Sequence, residues 1–310
     1  MTSNTNYHIP VLSTEVLDAL NINSEGIYVD CTLGGGGHSS QIVQKLTTGK
    51  LICIDQDKDA INFAKERLKE FHDKIIFAND NFAHLEKILY LNGISKVNGI
   101  LIDLGVSSYQ LDTQERGFSY RMDAELDMRM NQSEGKTAKW YVNTLSKEEL
   151  SKIFYEYGEE LKANRIASFI VEARKLKEIA TTHDLVEVIK KAVPYHQNKH
   201  PAKRVFQALR IHVNDELGVI KTVIEKSIEY LAPQGRLAII TFHSLEDRLV
   251  KNELKYYNME CICPPTLPIC MCDKESLIDI ITKKPIIPSD SEIDENFRAH
   301  SSKLRVAERK

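Results

Sequence analysis

The chain has no apolar run approaching the roughly 20 residues that a membrane-spanning helix needs, so no membrane partner is expected. Its first residues, Met1-Thr2-Ser3-Asn4-Thr5-Asn6, show neither a basic start nor an apolar stretch. No secretory signal is therefore expected, and the cytoplasm is the expected compartment. Cysteine is scarce, six in 310 residues, and in a reducing compartment these are read as thiols rather than bridges. An excess of one charge is also lacking. Lys and Arg number 41 against 44 Asp and Glu, a net charge of −3, so bulk charge does not point to nucleic acid. Neither an internal repeat nor a low-complexity tract is found.

What remains is ordinary for a globular protein: 42% hydrophobic and 27% charged residues, in a chain long enough for one large or two unequal domains. The charge is unevenly placed, however. From Val188 to Asn214 there is no acid, while Lys190, Lys191, Lys199, Lys203, Arg204 and Arg210 are present with three histidines. The end of the chain carries Arg298, Lys303, Arg305, Arg309 and Lys310 against Glu308. Such stretches can neutralise phosphates even on an acidic protein; solvated helix faces are the plainer reading.

The most informative segment is Asp30-Cys31-Thr32-Leu33-Gly34-Gly35-Gly36-Gly37-His38-Ser39. An apolar run, Ile27-Tyr28-Val29, leads into it, and a helical pattern follows. Glycines there let a backbone approach a ligand where side chains would collide. A second buried-strand pattern, Leu51-Ile52-Cys53-Ile54, ends at Asp55, roughly 20 residues on, where an acid can accept hydrogen bonds from ribose hydroxyls. A third, Gly99-Ile100-Leu101-Ile102, runs into Asp103-Leu104-Gly105-Val106-Ser107-Ser108. This succession is similar to that of S-adenosylmethionine (SAM) methyltransferases. A nucleotide-dependent oxidoreductase can use the first two elements, but no second mononucleotide half follows. A SAM- or RNA-binding module without catalysis is the other alternative.

Strands are expected near 27–31, 51–55, 75–78 and 99–104, and helices near 39–46, 59–71 and 82–91. That alternation predicts a class I, Rossmann-like, doubly wound α/β sheet. Residues 109–200 lack a strand pattern. Ser146-Lys147-Glu148-Glu149 is a capping box, and Thr181/Thr182 precede another helix that stops at Pro194, so an inserted helical domain is expected. The sheet domain then comprises 1–108 and 201–310. A long helix from about 201 to 231, which can be bent, precedes a strand at 237–242. An edge hairpin of 278–282 and 304–307 completes the sheet.

Motifs along nearly the whole chain carry a closer resemblance. They include Gly34–Ser39, Asp103–Ser108, Glu115-Arg116-Gly117-Phe118-Ser119, Leu126-Asp127-Met128-Arg129-Met130, Tyr157-Gly158-Glu159-Glu160, His200–Arg210 and Thr241-Phe242-His243-Ser244-Leu245-Glu246-Asp247-Arg248. Together they resemble the bacterial 16S rRNA (cytosine-N4)-methyltransferases, the RsmH or MraW family. The resemblance implies SAM as cofactor and transfer of its methyl group to N4 of one cytidine in the decoding region. It implies 16S rRNA or the 30S subunit as partner; a homodimer is compatible with the sequence. It also implies cofactor contacts from Gly35, Gly36, Gly37, His38, Asp55, Phe82, Asp103 and Gln110.

Asp103, Ser107, Ser108 and His243 are the candidate catalytic residues. Acceptors that hydrogen-bond the cytosine amine can localise its lone pair and orient it. Ser107 and Ser108 can equally cap a turn, His243 can equally start a helix, and Phe82 can equally cap a hydrophobic core. DNA amino-methyltransferases have prolines where this chain has Leu104–Val106, so the stacking partner of the base is open. Lys203, Gln207, Arg210 and Asn214 fall on one helix face, and Lys203, Arg204, Gln207 and Arg210 are the candidate RNA-binding residues. Finally, Cys261-x-Cys263 and Cys270-x-Cys272 can hold a tetrahedral zinc, but the spacing is not Cys-x-x-Cys, and free cysteines in an irregular loop are the expectation.

Overall fold

A computed structural model describes residues 10–193, 200–264, 267 and 269–310. The chain divides into two compact units, Met1–Gly105 with Leu217–Lys310, and Val106–Glu216. The first unit contains α1 (Ser13–Leu20), β1 (Ile27–Asp30), α2 (Gly37–Lys45), β2 (Lys50–Asp55), α3 (Lys58–Arg67), β3 (Ile75–Asn79), α4 (Leu85–Leu91) and β4 (Val97–Asp103). The second holds α5 (Ser108–Asp112), α6 (Ala138–Thr144), α7 (Lys147–Gly158), α8 (Ala163–Leu176), α9 (Thr182–Ala192) and α10 (Ala202–Asn214). The chain continues with α11 (Glu216–Tyr230), β5 (Leu231–Thr241), α12 (Ser244–Asn258), β6 (Ile278–Ile280), α13 (Asp290–Glu295) and β7 (Lys303–Arg309).

The strands form one sheet in the order β3-β2-β1-β4-β5-β7-β6, parallel from β3 to β5, with β7 antiparallel to both β5 and β6. Period-two burial explains why the central strands read as continuous apolar runs. Val29, Ile52, Ile54, Ile100, Ile102, Leu237 and Ile239 face a core completed by α4, α11 and α12. Tyr28, Leu51, Cys53, Leu101, Ala238 and Ile240 face the other, completed by α1, α2 and α3. Ile61, Ala64 and Leu68 lie in that second core, as their helical spacing predicts. The helix expected over 59–71 ends at Arg67, and a 3-10 turn, Lys69–Phe71, finishes the segment.

The helical unit has its own core, built from Phe118, Leu126, Met128, Phe154, Ile166, Ile170, Leu185, Val205, Phe206 and Leu209 among others. The capping boxes are formed as expected, Ser146 with Glu149 and Thr181 with Asp184. Pro194 lies outside the described residues. The junction between the two units differs from the sequence reading in two ways. The helix expected from 201 to 231 is two helices, because Asp215 adopts a left-handed φ of 46° that stops α10. The first of them belongs to the helical unit, because Val205, Phe206, Ala208 and Leu209 are buried in that unit's core.

Candidate active site

The parallel strands bring Asp30, Asp55 and Asp103 to one end of the sheet, where ligands of open α/β folds bind. Between β1 and α2 the glycine loop folds back on β2. Leu33 N–H donates to the Ile54 carbonyl (3.0 Å) and Gly36 N–H to the Leu33 carbonyl (2.7 Å). Gly36 takes φ +73°, and a Cβ there would lie 3.3 Å from Leu68 Cδ1, so both conformation and space call for glycine. The Arg67 guanidinium holds the Gly35 carbonyl at 2.7 Å.

Asp55 is the loop's anchor as well as a ribose candidate. Its Oδ2 accepts Gly34 N–H and its Oδ1 accepts Asp57 N–H, both at 2.8 Å. Burial pushes its carboxyl up to about 6, against the lowering effect of those two N–H groups. Asp30 is buried outright and accepts the Ser39 hydroxyl at 2.7 Å; burial raises its carboxyl too. Sequence reasoning named Asp30 as part of the motif but gave it no role, and it overlooked Thr32. The Thr32 hydroxyl accepts the Asp103 N–H at 2.6 Å, so the glycine-loop segment positions the end of β4.

Asp103 is held well above the usual carboxylate range, first by burial and then by the charges of Asp30 and Glu246. Its Oδ1 is buried with no hydrogen-bond partner among the described residues. His38, in the first turn of α2, places Nε2 3.8 Å from Asp103 Oδ2. A buried carboxylate oxygen without a donor is costly unless something supplies one. Three carboxyls that disfavour one another's charge also suit a cationic ligand. The residues therefore fit SAM, which is positively charged and carries hydroxyl and ammonium donors. Phe82 opens a 3-10 turn, Phe82–His84, and packs partly buried against the α4 side of the sheet core.

His243 is the N-cap of α12. Its Nδ1 accepts Glu246 N–H at 3.3 Å, and its Nε2 lies 3.0 Å from Glu246 Oε1. The fully buried Glu246 in turn accepts the N–H groups of Phe242 (2.8 Å) and His243 (3.2 Å). His243 thus starts the helix. Glu246, not singled out from the sequence, is with Asp30 an acid that reaches Asp103 electrostatically; its signal was its place three residues after a cap.

In the helical unit, Ser107 and Gln110 form the two halves of a capping box on α5, each side chain accepting the other's N–H at 3.2 Å. The Ser108 side chain lies outside the described residues. The polar face of α10 is only partly a surface. Arg210, expected at a phosphate, makes a bidentate pair with Glu216 at 2.8 and 2.9 Å. Gln207 Nε2 donates to the Tyr157 carbonyl, and Asn214 accepts the Met130 N–H at 2.8 Å and donates to the Met128 carbonyl at 2.9 Å. Lys203 is exposed, and Arg204 is half-exposed with Nη1 4.0 Å from Glu160. His196 and Lys199 lie outside the described residues. The basic tail is also absorbed: Lys303 and Arg305 both bind Asp247 (3.1 and 2.7 Å), and Arg309 holds the Leu277 carbonyl. Several motif residues prove to be framework. Arg116 is buried and donates to the Met130 carbonyl at 2.9 Å. Gly117 has φ +69°, and a Cβ there would lie 2.2 Å from the Glu125 carbonyl.

The MraW methylase family profile matches residues 5–310. The chain belongs to that family. This MraW-family methylase is 53% identical over 306 residues to the ribosomal RNA small subunit methyltransferase H of Finegoldia magna, covering 97% of this chain and 98% of that one. It is 55% identical over 304 residues to the protein of the same name in Fusobacterium nucleatum, covering 98% and 97%. SAM is the methyl donor of this methyltransferase, on the class I fold expected from the sequence. Among the described residues no helix is long and apolar enough to cross a membrane.

Proposed function

We propose that this methyltransferase modifies small-subunit ribosomal RNA, and that its target atom is the exocyclic N4 of a cytidine in the decoding region of 16S rRNA. The names of its relatives support the RNA class, and the motif resemblance supports the base and atom. The observation that carries the chemistry is the buried, donor-seeking Oδ1 of Asp103 at the end of β4.

SAM supplies an electrophilic methyl group on a sulfonium. In this reading Asp55 receives the ribose hydroxyls, the Gly35–Gly37 backbone admits the methionine half, and Phe82 covers the adenine. Gln110 and His38 complete the contacts that the family motif assigns. The amine of cytosine is a weak nucleophile because its lone pair is delocalised into the ring. Asp103 accepts one of its N–H bonds, which draws the lone pair back to nitrogen and fixes its direction. The positive charge of the donor favours the ionised form of Asp103 at that moment. Once the nitrogen carries its new methyl group it must lose a proton. A carboxyl held above its ordinary range is a better proton acceptor than a free carboxylate. Ser107 serves this chemistry only by capping α5. His243 positions α12 and orients Glu246, and so acts through Asp103's electrostatics. Lys203 and Arg204 bind RNA phosphates.

Mapping methylated cytidines in 16S rRNA from cells with and without the gene tests the reading. One decoding-region cytidine losing its methyl group is the expected result. An unchanged methylation map would overturn it.

A further inference from the structure

The connection between α12 and β6, residues 259–277, forms no helix or strand among its described residues. Its base is closed: Leu277 N–H donates to the Tyr257 carbonyl and Asn258 Nδ2 to the Ile278 carbonyl, both at 2.9 Å. Above that base the described residues of the loop build no apolar core of their own. Ile262, Leu267, Ile269 and Met271 point outward, with 48, 46, 73 and 81% of their surfaces exposed. The cysteine sulfurs converge on one another instead. Sγ of Cys261 lies 3.4 Å from Sγ of Cys270 and 3.7 Å from that of Cys272, and Cys270 and Cys272 are 3.6 Å apart. With Cys263, all four sulfurs lie within 4.8 Å of one another.

We propose that Cys261, Cys263, Cys270 and Cys272 bind one structural zinc ion. Three observations carry this. First, a tetrahedron of sulfurs about 2.3 Å from a central zinc has edges of about 3.8 Å, close to the separations found. A disulfide needs about 2.05 Å, and all four cysteines are free thiols. Second, the loop supplies backbone donors to the sulfurs: Cys263 N–H to Cys261 (3.3 Å), Ile262 N–H to Cys272 (3.4 Å) and Met271 N–H to Cys263 (3.3 Å). Such contacts stabilise the negative charge of a tetrathiolate centre. Third, ordering each loop residue costs about 1–2 kcal/mol in backbone entropy, and outward-facing apolar side chains cannot offset it. A metal clasp can. On binding, each thiol releases its proton to solvent as its sulfur bonds to the metal, with no change of oxidation state. Cys31 and Cys53 take no part, being buried in the sheet unit.

The test is the metal content of full-length, tag-free protein by elemental mass spectrometry, paired with thiol counting. About one zinc per chain is expected, with Cys270→Ser falling below about a tenth of that. Cys261 and Cys270 are exposed, so in metal-free protein a thiol reagent would attack them at once. With zinc bound, the four loop thiols should react only after a chelator is added. Cobalt should take the site and show the visible absorption of a tetrahedral tetrathiolate. Metal-free protein as isolated, stoichiometric iron in place of zinc, immediate thiol reaction, or an intact mass short by the hydrogens of two disulfides would each overturn the proposal. None of these readings depends on methyl transfer.

Discussion

Replacing Asp55 by Asn separates the two tasks assigned to that side chain. The carboxylate accepts one backbone N–H on each oxygen, from Gly34 and Asp57. An amide has a single acceptor oxygen, so one of those N–H groups must face an NH2 group. Leaving a buried donor unmade costs about 1–3 kcal/mol, which should appear as lost stability of the ligand-free protein. A hydrogen bond to a charged group is worth about 1.5–3 kcal/mol against about 0.5–1.5 for a neutral one. The ribose contact should therefore weaken by about 1–2 kcal/mol, or roughly 5–30-fold in the SAM dissociation constant. The pH dependence distinguishes this from general damage. The carboxyl of Asp55 sits at about 6, raised by burial. Ribose hydroxyls donate to its ionised form, so binding draws the proton off. Wild-type affinity should be flat above that value and fall by up to about tenfold per pH unit below it. Asn does not titrate, so the variant should lose this part of the slope. Calorimetric titration of SAM into both proteins across that range reads the difference. An unchanged dissociation constant in a folded variant, or the same acid-side loss in both proteins, refutes the assignment.

The remaining expectations concern stability and RNA. Asp30, Asp55 and Asp103 all have folded-state values above their unfolded ones, so the folded protein binds more protons. Their stabilising effect is complete below the unfolded carboxylate range and lost as pH rises through the folded values. The ligand-free protein should thus gain thermal stability from pH 7 toward the value of about 6 at which Asp55 titrates, and Asp103→Asn should reduce that gain. Arg210→Ala should destabilise the protein by about 2 kcal/mol or more, because Glu216 loses its bidentate partner. Denaturant midpoints check this, and a neutral result would return Arg210 to the RNA-binding set. Lys203→Ala with Arg204→Ala should lower RNA affinity and reduce its salt dependence by at most about two phosphate contacts, leaving SAM affinity unchanged. A full salt slope in the double variant would remove α10 from the RNA-binding surface.

The strands were legible because a parallel sheet buried on both faces writes itself as short apolar runs, and the acids that end them mark where each run meets the ligand edge. The glycine loop was legible because its conformation excludes side chains at Gly36. Charge was the misleading signal. The Val188–Asn214 stretch has no local acid, yet Arg210 finds Glu216 just beyond its end, and Lys303 and Arg305 find Asp247 far back along the chain. A window of sequence cannot show a partner that the fold delivers. Helical spacing likewise placed Gln207 and Asn214 with Lys203, but the Met128–Met130 loop and the Tyr157 carbonyl bond to them and make that end of the stripe internal. The break at Asp215 was hidden because a single left-handed residue without glycine leaves no compositional mark.

Asp103 is proposed to direct methyl transfer to an exocyclic nitrogen. Incubating unmodified 16S rRNA or 30S particles with SAM, digesting the RNA and resolving N4- from C5-methylcytidine by mass spectrometry tests it directly. N4-methylcytidine alone is expected, with Asp103→Ala forming it at least about a hundredfold more slowly. Carbon methylation of cytosine requires a thiolate to attack C6, and Asp103–Ser108 contains no cysteine. A C5 product, or undiminished transfer by Asp103→Ala, would contradict it.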